Sequence, residues 1–377
     1  DVYKRQALYF TIALLGVHAQ IAQALLAREG LVAFYGNELS LGAFYGGWLW
    51  WLALGSLLAV RWRARPWVTQ PLPLLRALVL ALPLLLLGQM LLLRGVRLLL
   101  DVSPSEFIPL GQMVLALLLA TLPSGLALGL AFPVACRALR PAPSADADLR
   151  GSVAGVSYLY VFDALGALLG GLLFTFVLVE WVGPWRSLGL TALLLALCSL
   201  LLGGSRGGRW WAGLLASCGL LLAASPAGGW FGTQMEDLRF ASLQPGLELE
   251  TALETRDGHL ALGRTGSQFS LVENGRIGES FPDPQGVQQD AAYVFTQAPD
   301  AERLLLFGGL SGGLVAELLR YPLQRLDLVL QDRLAFERLR PWLEPASQEA
   351  LEDPRLHLYF GDGRRYVNEL PDLSLIH

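Results

Sequence analysis

The residues best placed to do chemistry are a glycine-rich turn, Gly308-Gly309-Leu310-Ser311-Gly312-Gly313, and two acidic positions downstream, Asp332 and Asp362. Glycines permit positive φ and let backbone come close to a ligand. A helix that opens after such a turn presents unpaired N–H groups and a partial positive charge. The turn follows a short apolar run, Arg303–Phe307, and leads into a helical stretch, Leu314–Arg320. A second run, Leu326–Leu330, ends at Gln331-Asp332 and continues into a predicted helix over Arg333–Trp342. A third, Leu356–Phe360, closes on Gly361-Asp362-Gly363. Strand, turn, helix, strand, helix, strand is the opening of a doubly wound parallel sheet. Right-handed crossovers then bring Gly308, Asp332 and Asp362 to one sheet edge, where such folds bind ligands. The combination points to a nucleoside-containing ligand, and the plainer alternative is a tight turn required only for packing.

The segment before this sheet reads differently. Leu247–Ser280 alternates short apolar runs with turn signals, and Asp257-Gly258 and Asn274-Gly275 are hairpin pairs, so a small antiparallel β unit is expected.

The elements ahead of these are of another kind. The chain has 377 residues, is 54% hydrophobic and 16% charged, and has a mean hydropathy of +0.47. Soluble domains average about 25% charged residues. The excess apolar content lies before about residue 230, so the composition divides the chain near Trp230–Met235. Expected domains are a helical one over 7–230, a β unit over 235–299 and a nucleotide-binding unit over 300–372.

A bilayer core of ~30 Å needs ~20 apolar residues of helix. Candidate spans are Ala7–Leu26, Leu41–Val60, Leu74–Leu93, Phe107–Cys136, Val153–Val182, Leu188–Leu202 and Trp210–Ala224. A multi-pass membrane domain of about seven helices is therefore expected, with the lipid bilayer as a partner. Lys and Arg concentrate in alternate connectors: Arg61, Arg63, Arg65 and Arg76; Arg137, Arg140 and Arg150; Arg206 and Arg209. Those connectors are expected on the cytoplasmic side, while Arg94 and Arg97 read as residues of an opposite connector. Seven crossings would place the soluble part outside the cytoplasm, and one more or one fewer would reverse it, so its side is open. Asp163, in Y-L-Y-V-F-D-A-L-G, is either a functional carboxylate inside a span or a structural one packed among Gly166, Gly170 and Gly171. Gln20, Gln23, Gln89 and Gln112 read as interhelical hydrogen-bonding residues and His18 as structural.

The net charge of −4 and the lack of a basic block argue against a nucleic-acid partner. The three cysteines, Cys136, Cys198 and Cys218, lie in apolar segments without metal-ligand spacing and read as packing residues. The opening Asp1–Gln6 and closing Leu373–His377 look foreign and carry no weight in the fold reading. On that view the native termini lie elsewhere.

Ser267–Val367 resembles the spermidine synthase (polyamine aminopropyltransferase) superfamily. The quoted stretches are E-N-G-R-I-G-E-S-F-P-D-P, L-L-L-F-G-G-L-S-G-G and E-D-P-R-L-H-L-Y-F-G-D-G-R-R-Y-V. The helical half, with A-R-E-G-L-V-A-F-Y-G-N-E-L-S-L-G over Ala27–Gly42, resembles the multi-span module fused to such domains in some bacterial proteins. The resemblance implies a Rossmann-like fold and location in a bacterial inner membrane. It implies decarboxylated S-adenosylmethionine as co-substrate, a polyamine or other small amine as acceptor, and no metal. Soluble relatives form homo-oligomers, an interface that the helical half could replace. Gly308, Gly309, Ser311, Gly312, Gly313, Asp332, Asp362 and Gly363 become cofactor-binding candidates, and Gln268, Asp283 and Asp290 substrate-side candidates. The chain also departs from the pattern. Ser311 stands where the family has an acidic residue, Leu330 stands at the ribose-binding glutamate, and Gln289–Tyr293 replaces a Tyr-His-Glu run. The catalytic aspartate is expected beyond the end of this chain. Three functions follow: an aminopropyltransferase, a degenerate sensor of adenosyl ligand or polyamine, and a transporter with an accessory domain.

Overall fold

The computed structural model describes residues 2–62, 70–104, 106–139, 149–309 and 312–369. Arg63, Arg65, Arg140 and Ser311 lie outside them. The chain forms two compact units, Asp1–Pro245 and Gly246–His377.

Among the described residues, every regular element of the first unit is a helix. Its elements are α1 (Val2–Ala33), α2 (Glu38–Arg61), α3 (Pro71–Leu99), α4 (Leu110–Leu139), α5 (Leu149–Leu173), α6 (Pro184–Leu201), α7 (Arg206–Ala224) and α8 (Pro226–Leu243). A π-helical stretch, Phe174–Val182, prolongs α5. Six of these helices are long and apolar enough to cross a membrane. The pair α7 and α8, bent by 76° at Ser225, would make a seventh span if taken as one. Val2–Gln6, set aside as foreign in sequence, continue α1.

Small residues let the helices approach backbone to backbone. A Cβ on Gly166 of α5 would lie 1.9 Å from the Ala13 carbonyl oxygen of α1, and one on Gly170 2.7 Å from that of Val17. Gly171, grouped with them in sequence, meets only the Gln20 side chain, at 3.5 Å. The same device joins α2 to α4, where a Cβ on Gly129 would lie 2.2 Å from the Leu52 oxygen. Gln89 links α3 to α4, donating to the Ala120 carbonyl at 2.5 Å and accepting from Ser124. His18 is buried in α1.

The division falls at Pro245, beyond the Trp230–Met235 region that composition suggested. The reason is electrostatic. Charged residues of α8 that read as soluble are inside a buried ion-pair cluster. Glu29 of α1 accepts from Arg94 Nη2 at 2.6 Å and from Arg239 Nη1 at 3.2 Å. Arg239 also pairs with Glu236 at 2.7 Å. The Glu29 and Arg239 side chains are each 3% exposed and that of Arg94 6%. Arg94 also stacks over Trp185 at 4.8 Å. Arg94 and Arg97 are thus buried residues of α3, not connector charges: Arg97 donates to the carbonyls of Ser103 and Glu106 and covers the Tyr35 ring.

The second unit opens with a four-stranded antiparallel meander: β1 (Glu248–Glu254), β2 (His259–Thr265), β3 (Gln268–Glu273) and β4 (Arg276–Phe281). Both hairpin pairs sit at turns, and the second has the backbone its type requires. Asn274 and Gly275 have φ of 47° and 84°. Asn274 Oδ1 accepts from the His259 N–H at 3.0 Å, which ties the second turn to the first hairpin. A helix, α9 (Pro284–Gln297), leads to a three-stranded parallel sheet of β5 (Arg303–Phe307), β6 (Arg325–Leu330) and β7 (Leu356–Phe360), in the order β5-β6-β7. Between and after these strands lie α10 (Leu314–Leu318), α11 (Arg333–Leu339), α12 (Pro345–Ala350) and α13 (Gly363–Glu369). Leu326 and Leu328 of the central strand are fully buried with Val315, Leu318 and Ala291, forming the core beneath the site.

Candidate functional site

The three parallel strands end together. The Gly308 N–H donates to the Val329 carbonyl at 3.1 Å and the Gly361 N–H to that of Leu330 at 2.9 Å, so the three turns stay level at one sheet edge. Gly308 and Gly309 have φ of 72° and 74°, a backbone that side chains with a Cβ resist. A cavity of about 1110 Å³ opens over this edge. Gly308 and Gly309 line it after β5, Leu330, Gln331 and Asp332 after β6, and Gly361, Asp362 and Gly363 after β7.

Both acidic residues cap helices. Asp332 Oδ1 accepts from the N–H groups of Leu334 and Ala335 at 2.7 and 3.2 Å. Asp362 Oδ1 accepts from the Arg365 N–H at 2.9 Å. Each carboxylate is thereby held at the cavity wall, with its charge set against the dipole of the helix behind it.

The opposite wall comes from the meander and is also acidic, with Asp257, Glu273 and Glu279. A bulge explains why two glutamates share this face. From the turn, Glu273 pairs with Arg276 and Val272 with Ile277, but the register then shifts and Leu271 pairs with Glu279. Without the extra residue, Glu279 would fall on the other face of the sheet, because side chains alternate strictly. Burial, and then the charge of Glu279, hold the Glu273 carboxyl above the usual range. Among the described lining residues, five carboxylates against the guanidinium of Arg364 make the cavity attractive to cations.

The remaining candidates lie elsewhere. Gly312 and Gly313 follow the turn, and Gly313 caps α10 with φ of 85°, but neither lines the cavity. Gln268 begins β3 opposite Thr265, Asp283 caps α9 by accepting from Gly286, and Asp290 is exposed on α9. Asp163 belongs to α5 of the first unit. The sequence reading missed Asp257, Glu273 and Glu279. The D-G and N-G turns marked where they lie, but only the bulge sets Glu279 beside Glu273. Among the described residues, no group of three or more His, Cys, Asp or Glu could hold a metal ion.

Residues 291–376 match the spermine/spermidine synthase domain. Several polyamine aminopropyltransferases are similar to the chain. That of Nitrosomonas europaea is 43% identical over 69 residues, covering 18% of this chain and 21% of that protein. That of Korarchaeum cryptofilum is 38% identical over 66 residues, 18% of this chain and 21% of its own length. That of Corynebacterium efficiens is 27% identical over 267 residues, 68% of this chain and 50% of that protein. This last likeness is longer than the whole second unit, so it runs into the helical unit as well. The chain spans between about a fifth and a half of the length of these curated relatives. Its C-terminal part is thus similar to a spermidine synthase domain, and the relatives it resembles are transferases by name.

Proposed function

We propose that this protein is a membrane-anchored aminopropyltransferase. On this reading the second unit holds decarboxylated S-adenosylmethionine at its parallel-sheet edge and a polyamine or similar amine against the meander. The observation that carries the proposal is the single cavity shared by the glycine turn, Asp332, Asp362 and the Asp257–Glu273–Glu279 wall. The three strands would be the first part of a Rossmann-like doubly wound sheet. The glycine turn leaves room for a nucleoside, and Asp362 offers a carboxylate to its polar edge. The acidic wall suits both a sulfonium donor and a cationic acceptor.

The chemistry would be direct displacement. The amine nitrogen bonds to the propyl carbon beside the sulfonium, the carbon–sulfur bond breaks, and its electron pair leaves with methylthioadenosine. The amine's proton passes to a carboxylate base. The residues named here would contribute alignment and charge, which is where such a displacement gains most. The first unit, with helices of spanning length and apolarity, would hold the protein in a bacterial inner membrane.

A second reading, ligand binding without transfer, is favoured by Leu330. This apolar residue lines the cavity where the resemblance implies a ribose-binding acid, and Asp332 two residues on is engaged as a helix cap.

The test is calorimetric titration of the detergent-purified full chain with decarboxylated S-adenosylmethionine and with methylthioadenosine. Micromolar binding that weakens about 10- to 100-fold in Asp362→Ala is expected, the range for a lost hydrogen bond to a charged group. No binding of either compound by folded protein refutes the nucleoside site. Binding without formation of methylthioadenosine from the donor and an amine selects the second reading.

A further inference from the structure

The helical unit contains a second cavity that the proposed transferase site does not use. It has a volume of about 450 Å³ and lies between α3 and the α6–α7 region. Its lining is polarised along the helices. One end holds Arg76 in the second turn of α3, Ser205 at the cap of α7 and Arg209 in the first turn of α7. The other end, one to three turns further in, holds Leu80, Leu84, Leu214, Leu215 and Cys218. Among the described residues, no Asp or Glu lines it.

The Arg76 guanidinium is fixed at the polar end. Its Nη2 donates to the Leu202 carbonyl, and its Nε is buried without a hydrogen-bond partner. A cation with unused donor capacity, an exposed second cation on the neighbouring helix and an apolar trough leading inward match the two parts of an amphiphile. The wall beyond is also apolar at the surface: Leu84, Trp211 and Leu214 are exposed.

We propose that this cavity binds an anionic phospholipid. The phosphate lies against Arg76 and Arg209, and the start of one acyl chain lies along Leu80, Leu84 and Leu214. The proposal rests on the membrane reading of the first unit. Charge complementarity selects the occupant: a zwitterionic headgroup of the same size would bring its own cation to two arginines, and a free phosphate would leave the apolar wall unused. Each basic residue near an anionic lipid surface favours binding by about fivefold.

The experiment is native mass spectrometry of the full chain released from detergent. It is titrated with phosphatidylglycerol or phosphatidylcholine carrying identical acyl chains, and separately with inorganic phosphate. Phosphatidylglycerol is expected to be retained at least about fivefold over phosphatidylcholine. Arg209→Gln, whose exposed side chain makes it a mild change for folding, should cut that preference by about fivefold, and Arg76→Lys should keep it. Equal retention of the two lipids, or an unchanged preference in Arg209→Gln, overturns the site. Displacement of the lipid by inorganic phosphate at comparable concentration overturns the role of the apolar wall. The membrane reading fails separately, if alkaline carbonate releases the chain from cell membranes into the aqueous fraction.

Discussion

Replacing Glu29 by Gln tests whether the buried charges of the helical unit bind α8 to the rest. Four groups sum to zero there: Glu29 and Glu236 against Arg94 and Arg239. Glu29 accepts from Arg94 Nε at 3.0 Å through both oxygens, from Arg94 Nη2 at 2.6 Å and from Arg239 Nη1 at 3.2 Å. Gln keeps the size but removes the charge, leaving a net +1 among the remaining groups. Breaking a buried pair from one side costs about 3–5 kcal/mol, because the partner charge is left uncompensated. The cost here falls at the lower end, about 3 kcal/mol, for two reasons: Glu236 still pairs with Arg239 at 2.7 Å, and Arg94 keeps its stacking on Trp185 at 4.8 Å. For a unit of this size each kcal/mol lowers Tm by about 2–4 °C, so a drop of about 6–12 °C is expected. The assay is thermal unfolding in detergent followed by tryptophan fluorescence, to which Trp185 contributes. The double variant Glu29→Gln/Arg239→Gln restores neutrality and should recover part of the loss. A drop under about 2 °C, or strictly additive losses in the double variant, would refute the argument.

Two further expectations follow from the geometry. Gly166→Ala places a methyl group 1.9 Å from the Ala13 oxygen, where two helix backbones must part. Overpacking of this kind costs about 1–3 kcal/mol or more, whereas Gly171→Ala, facing a flexible Gln20, should stay within about 0.5 kcal/mol; thermal unfolding of the pair separates them, and equal effects would contradict the close approach. Glu273 carries a raised pKa in the folded state through burial and then Glu279. Its contribution to stability is therefore fully present below the unfolded value of about 4.3 and is lost as pH rises through the higher folded value. Glu273→Gln should gain on the wild type between pH 4 and pH 7 in urea unfolding, and a pH-independent difference would count against the assignment.

How much of this was legible in the sequence depends on the range of the forces involved. The parallel strands and their turns were legible because each is local. An apolar run of five or six residues ends at glycine or aspartate, and the same types cap the helix that follows. The N-G turn was legible for the same reason, since φ above zero at Asn274 and Gly275 is a property of those residues. The bulge at Leu271/Val272 was not, because nothing local distinguishes a strand with one extra residue, yet it decides that Glu279 faces the cavity. Charge density in sequence reads as a sign of solvent, whereas at the end of the helical unit it marks buried ion pairs. Glu236 and Arg239 look like the start of a soluble domain until Glu29 and Arg94, more than 140 positions earlier, are seen to neutralise them.

The two halves of the molecule also handle charge in opposite ways, and this bears on function. In the helical unit, Glu29 and Glu236 neutralise Arg94 and Arg239, whereas the polar end of the α3–α7 cavity holds two arginines with no acid among the described lining residues. In the second unit, carboxylates are gathered at one cavity: Asp257, Glu273, Glu279, Asp332 and Asp362 line it, with Arg364 as the one arginine among the described lining residues. Like charges held together raise the free energy of the empty protein, and Glu279 adds to the upward shift that burial gives Glu273. A cation that binds there relieves that repulsion and gains affinity from it. A chain selected only for stability would not keep such a wall, since one Glu-to-Gln change would remove the strain. Its presence beside a glycine turn and two capped aspartates is what the proposed transferase reading expects of a site for a positively charged ligand.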